Sequence, residues 1–243
     1  MIAELRRLWQ EAFGDTDAFL DSFFATGFDR NRRHFIEENG IPVSALYWFD
    51  CELKGQKLAY LYAVATGEEH RGKGLARRLM TETHAILKNQ GYAGAILVPG
   101  SQDLFAMYEK LGYRAVTTVS KFVARQGSTP ANLTPIDGAE FAKLRRQYLP
   151  GDGVIQEGAA LRFLQTYCKF YTGAGFLLVA SEENGALRVQ ELLGNVAAAP
   201  GILRTLGYEN GTFRTPGNDR KFAMFLPLTA NCPVPGYFGL ALD

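Results

Sequence analysis

The chain has 243 residues, 26 Lys and Arg against 25 Asp and Glu, and 47% apolar residues. That length and apolar share suit one large domain or two small ones, and 12% aromatic residues with balanced charge exclude intrinsic disorder. A net charge of +1 gives no field to hold nucleic acid or an anionic membrane non-specifically, and no apolar run approaches the roughly 18 residues of a membrane span.

The opening run MIAELRRLWQEAF carries Glu4, Arg6 and Arg7 among Ile2, Leu5 and Leu8 at helical spacing. It predicts an amphipathic helix rather than a secretory signal. A second helix follows, with Asp15 as N-cap and Leu20, Phe24 and Phe28 on one stripe. Strand-like runs at 33–36 and 43–49 flank Glu37-Glu38-Asn39-Gly40, a strong hairpin signal because Asn and Gly tolerate positive φ. A third strand at 58–66 is apolar on both faces and is expected to lie centrally in a covered sheet. A long helix, a short strand at 93–98 halted by Pro99, a helix at 101–111 stopped by Gly112 and a closing strand at 117–124 complete the first half. Cys51, Cys168 and Cys232 are scattered without a CxxC pair, so neither a disulfide framework nor a metal site is expected, and the compartment reads as cytoplasmic.

Gln126-Gly127-Ser128-Thr129-Pro130 reads as a linker, dividing the chain at 126/127. Beyond it, helices are predicted at 137–148 and 156–171 and strands at 221–226 and 237–242. Two local echoes cross this division. Glu182-Glu183-Asn184-Gly185 repeats the earlier turn, and Leu203-Arg204-Thr205-Leu206-Gly207-Tyr208 repeats Tyr108-Glu109-Lys110-Leu111-Gly112-Tyr113. Such turns and helix stops also recur for local reasons, so a duplicated second half stays open here.

The chemistry is concentrated at Val64-Ala65-Thr66-Gly67-Glu68-Glu69-His70-Arg71-Gly72-Lys73-Gly74-Leu75-Ala76-Arg77. A buried strand ends, two glycines pass and a helix begins, leaving first-turn amides unpaired at the positive end of the helix dipole. Such a place suits a phosphate or pyrophosphate. The GxxxxGK triphosphate loop is absent, and Arg77 departs from the dinucleotide GxGxxG. Taken alone, the loop is either a ligand site or merely a basic helix start.

AYLYAVATGEEHRGKGLARRLM followed by LFAMYEKLGYRAV resembles the GNAT superfamily of acyl-CoA-dependent N-acyltransferases, over residues 1–125. The resemblance implies an α/β domain with a mixed sheet whose central parallel strands splay around acetyl-CoA. It places the pantetheine arm on the backbone of Val64 and Thr66, with Ala65 between them. The pyrophosphate falls on Gly72, Lys73, Gly74, Leu75, Ala76 and Arg77, with Arg71 at the mouth. Glu69 stands where the family carries Gln or Arg, which affects one side-chain contact and leaves the main-chain donors intact. Tyr108 resembles the family's general acid, and an amide near Val64 or Ala65 is expected to serve the carbonyl oxygen.

The expected activity is direct acetyl transfer to the amine of a small molecule or peptide, with a non-catalytic acyl-CoA sensor as the alternative. The aromatic pairs Tyr47/Trp48 and Tyr60/Tyr62 are candidates for an acceptor cleft. Residues 127–243 are expected to form a smaller, degenerate GNAT-like domain, with Leu203 in the place of Tyr108. Its work would be to cover the first domain, close the acceptor pocket or form a homodimer contact.

Overall fold

The computed structural model describes residues 1–242 and divides the chain into two compact units. The first comprises 1–114, 158–163 and 224–233, and the second 115–157, 164–223 and, among the described residues, 234–242. In chain order the elements are α1 (Ile2–Phe13), α2 (Asp17–Thr26), β1 (Arg33–Glu38), β2 (Ile41–Leu53), β3 (Gln56–Thr66), α3 (Leu75–Asn89), β4 (Gly94–Leu97) and α4 (Gln102–Glu109). There follow β5 (Arg114–Ala115), β6 (Thr118–Arg125), β7 (Leu133–Ile136), α5 (Gly138–Tyr148), β8 (Ile155–Gln156), α6 (Ala159–Leu164) and β9 (Lys169–Gly173). The last are β10 (Phe176–Glu183), β11 (Ala186–Gly194), α7 (Ala199–Leu206), β12 (Asn210–Pro216), β13 (Arg220–Lys221) and β14 (Met224–Pro227). Among the described residues, no helix is long and apolar enough to cross a membrane.

In the first unit, α1 buries Leu5, Leu8 and Trp9 and ends at Gly14, whose φ of 72° only glycine adopts freely. Thr16, rather than the expected Asp15, caps α2 by accepting the Phe19 amide at 3.3 Å. Asp15 instead takes the Trp9 indole N–H at 2.7 Å. The strands run β1-β2-β3-β4-β14, antiparallel except for β3 and β4, which are parallel. Trp9, Phe23, Tyr47, Phe49 and Tyr62 form one aromatic cluster over β2 and β3. Phe163 of α6 enters it, 5.3 Å from Phe23, and so anchors residues 158–163 in this unit.

The closing strand of the first sheet is not the expected 117–124. That stretch is β6, paired with β12 in the second sheet. The place beside β4 is taken by β14, antiparallel from Met224↔Leu97 to Pro227↔Gly94. Gly94 makes room for it, since a Cβ there would meet the Phe225 ring at 2.5 Å. The boundary expected at 126/127 therefore falls inside the second unit. The supposed linker is pinned to α7: Gly127 N donates to Pro200 O at 3.0 Å and Ala131 N to Gly201 O at 3.1 Å. The helix expected at 156–171 is also divided. Only Ala159–Leu164 is helical: Gly158, at φ 63°, precedes its start, Gln156 lies in β8, and Phe170 and Tyr171 lie in β9 against β10.

The second sheet runs β13-β6-β12-β11-β10-β9-β7. Within it, β9-β10-β11-β12-β6 repeats the directions of β1-β2-β3-β4-β14, including one parallel pair joined through a helix. Thus the halves are related in topology, and each sheet is completed by a strand from the other half of the sequence. The two local echoes are nevertheless mismatched. Asn39-Gly40 joins β1 to β2, whereas Asn184-Gly185 joins β10 to β11, whose counterpart is the Lys54-Gly55 turn. Leu203 lies in α7, the counterpart of α3, so it does not correspond to Tyr108.

Residues 237–242 form no strand, contrary to expectation, yet they are buried against β11 and β12. The Tyr237 hydroxyl donates to Glu191 at 3.0 Å, Arg214 donates to Gly239 O at 3.1 Å and Gln156 to Leu240 O at 2.7 Å. Arg145 grips the same Glu191 carboxylate through two bonds of 2.7 and 2.9 Å, both side chains being almost fully buried. Removing one member of such a pair leaves a stranded charge. Glu191→Ala is therefore expected to lower unfolding free energy by about 3–5 kcal/mol in urea titration, with much of it regained in Arg145→Met/Glu191→Leu. An unchanged midpoint in the single variant would contradict the pair's role.

Candidate active site

β3 and β4 are in register only from Leu58↔Gly94 to Tyr60↔Ile96. Beyond Tyr60 the strands part, and Pro99, which has no N–H, follows the end of β4. On its other edge β3 stays with β2, but with an extra residue. Ala45 faces Ala65 and Tyr47 faces Tyr62, so Ala63 and Val64 together oppose Leu46, and Ala63 takes φ 50°. This bulge re-aims the strand end. The Gly67 amide donates to Val43 O at 2.9 Å. By the alternation of an antiparallel ladder, the main chains of Thr66 and Val64 then face away from β2, into the gap left by β4.

A single helical turn, Glu68–His70, leads from Thr66 toward α3. Gly72 and Gly74 have φ of 74° and 77°, and a Cβ at either would meet no atom within 4 Å. Their glycine character is thus dictated by backbone conformation, and the space above them is open. No side chain caps α3. Its first intrahelical bond inward from Gly74 O belongs to Arg78, so the amides of Leu75, Ala76 and Arg77 are unspent donors. Lys73 and Arg77 are exposed beside them, and Arg71 turns back so that its Nε donates to Thr66 O at 3.2 Å. Arg78 instead pairs with Glu82 at 2.7 Å along the solvated helix face. Open space, free amides and surrounding cations fit a diphosphate.

Tyr108 is the one buried residue of α4. Burial pushes its hydroxyl up to about 12, so it stays protonated throughout the physiological range. Its ring meets Tyr113 edge-on at 5.9 Å. The Tyr113 hydroxyl lies 2.8 Å from His84 Nε2 on α3. Burial holds His84 down at about 4, which keeps the imidazole neutral near pH 7. Tyr108 is thereby tied through two side chains to the helix whose first turn forms the loop.

The neighbouring side chains of β2 and β3 have other partners. Asp50 is engaged by Arg32 at 2.9 and 2.6 Å and by the Tyr92 hydroxyl. Although burial opposes it, these partners hold the carboxyl below its usual range. The aromatic pairs divide between sheet faces. Trp48 donates to Tyr92 at 3.0 Å on one, while Tyr47, Tyr60 and Tyr62 join the aromatic cluster on the other. Sequence reasoning missed the bulge at Ala63 and the buried Ser44. The latter's signal was a lone hydroxyl in an apolar strand. Among the described residues, no group of three His, Cys, Asp or Glu side chains could hold a metal.

The second unit repeats the parting strands but not the loop. β11 and β12 pair only from Leu187↔Gly211 to Val189↔Phe213. The helical turn Val196–Ala198 then runs directly into α7, which begins at Ala199 with Pro200 in its first turn. The residues equivalent to 71–74 are absent, and proline removes one amide that would face a ligand.

A mixed sheet with a parted parallel pair, beside a glycine-rich turn feeding a helix, defines the acyltransferase type of α/β fold. Residues 2–116 match the family model for the acetyltransferase (GNAT) domain. No curated protein matches the sequence. The fold is shared with the GCN5-related N-acetyltransferase from Anabaena variabilis, with TM-score 0.70 and 16% identity over 94% of this chain and 70% of that one. It is also shared with the GCN5-related N-acetyltransferase from Kribbella flavida, with TM-score 0.69 and 16% identity over 92% and 68%. A putative acetyltransferase from Pyrococcus horikoshii gives TM-score 0.66 and 12% identity over 98% and 90%. Likeness at this identity extends to the fold, including the second unit.

Proposed function

We propose that the protein is an N-acetyltransferase that moves an acetyl group from acetyl-CoA to the amine of a small molecule or peptide in a ternary complex. The observation that carries this reading is the parted end of β3 leading into open, unspent amides at the start of α3. The main chains of Val64 and Thr66 would receive the pantetheine arm as an added strand edge. The amides from Gly72 to Arg77, with Arg71 and Lys73, would hold the phosphates.

Transfer from a thioester needs a donor for the carbonyl oxygen, a proton for the departing sulfur and a deprotonated amine. The bulge leaves a main-chain amide of the Ala63–Ala65 stretch available to the oxygen. Tyr108, neutral and without a hydrogen-bond partner among the described residues, would give its proton to the thiolate. The amine would attack the thioester carbonyl directly, and the thiolate would leave as free CoA.

A thiol-release assay with acetyl-CoA and a panel of small amines and peptide N-termini tests this reading. One or more amines should accelerate thiol release, and calorimetry should give one CoA per chain, because only the first unit has the loop. Tight CoA binding without acceptor-dependent thiol release would contradict the enzyme. Absence of CoA binding would contradict the site.

A further inference from the structure

Ser44 lies on β2 between Val43 and Ala45, with 0% of its surface exposed. A hydroxyl buried in such surroundings is stabilised only by its partners. Both partners belong to the last two residues of β3. Ser44 Oγ donates to Ala65 O at 2.9 Å and lies 2.9 Å from Thr66 Oγ1. Because Ser44 has one proton, given to Ala65, it is the Thr66 hydroxyl that donates to Ser44. Ser44 thus holds the carbonyl of one residue and the side chain of the next. The Gly67 amide, bonded to Val43 O, fixes the residue after them.

The consequence falls on Thr66. With its side chain tied toward β2, its main chain is turned to the gap beside β4, where its carbonyl accepts from the exposed Arg71 side chain at 3.2 Å. From this geometry we infer that Ser44 is a positioning residue for the pantetheine arm: through Ala65 and Thr66 it sets the strand edge on which the arm lies. The inference rests on the coenzyme reading above and goes beyond it, because it separates recognition of the arm from recognition of the phosphates. The loop at Gly72–Gly74 has no bond to Ser44 and depends on its own backbone conformation.

The test compares two ligands by calorimetry in the full chain: CoA, and 3′-phosphoadenosine 5′-diphosphate, which is CoA without its pantetheine arm. Ser44→Ala should weaken CoA about five- to tenfold, the worth of one or two hydrogen bonds, and leave the truncated nucleotide within twofold. KM for acetyl-CoA should rise by the same factor, with kcat nearly unchanged. Ser44→Cys, which preserves bulk but bonds weakly, should fall between, and serves if the alanine variant folds poorly. Equal losses for both ligands, or no loss for CoA, overturn the assignment of Ser44 alone. Wild-type protein that binds neither ligand overturns the coenzyme reading and this assignment with it.

Discussion

Replacing Tyr108 with Phe is expected to lower kcat by roughly 100- to 1,000-fold, while KM for acetyl-CoA stays within about twofold. The substitution keeps the ring, and with it the edge-on contact to Tyr113 at 5.9 Å. It removes only a hydroxyl that has no hydrogen bond among the described residues, so stability should hardly change. The proton is the loss that matters. Burial raises the phenol to about 12, so it holds its proton throughout the range in which the enzyme would be assayed. A pH profile gives the sign. Tyr108 acts as an acid only when protonated, so any alkaline fall in kcat that it causes lies near pH 12, and a fall at pH 8 or 9 belongs to another group. Steady-state kinetics at saturating amine decide the matter. Unchanged turnover, or equal losses in kcat and affinity, would count against the acid.

The second large effect concerns dissection. A fragment of residues 1–126 should show no cooperative thermal transition. It carries the whole GNAT match at 2–116, yet it lacks residues 158–163 and 224–233 of its own compact unit. Losing β14 exposes the edge of β4, where Ala95, Ile96 and Leu97 are at most 2% exposed. Losing Phe163 opens the aromatic cluster around Phe23. Each missing phenylalanine costs about 3–5 kcal/mol. Against a total stability of about 5–15 kcal/mol, Phe163 and Phe225 alone bring the fragment to the threshold of unfolding. The open strand edge adds an aggregation hazard. A fragment that unfolds cooperatively near the full chain's temperature would contradict the strand exchange.

The glycine turn before α3 was legible because everything its conformation needs is local. Gly72 and Gly74 supply positive φ, a strand precedes them and a helix follows. Pro99 was legible for a similar reason, marking where β4 ends. The exchange of β6 and β14 was not, since both have ordinary strand patterns and the choice of neighbour is made by distant surfaces such as the gap beside Gly94. The repeat was sensed through the wrong residues. Asn-Gly turns and glycine helix stops solve local backbone problems wherever they arise, so they paired turns that the topology keeps apart. Thr16 displaced Asp15 as the cap of α2 because the Trp9 indole claimed the aspartate, a contact between side chains six residues apart that helix periodicity does not reveal. The bulge at Ala63 is hidden for the opposite reason. Alanine there carries no mark of its left-handed conformation, and an apolar strand reads the same with or without one extra residue.

The most direct test follows backbone amide resonances of the full chain while CoA is added. The largest shifts should fall on Leu75, Ala76 and Arg77 and on the strand end from Ala63 to Thr66, with the start of α7 unmoved. Shifts confined to other regions, or none at saturating CoA, would contradict the grip of the glycine loop on the coenzyme.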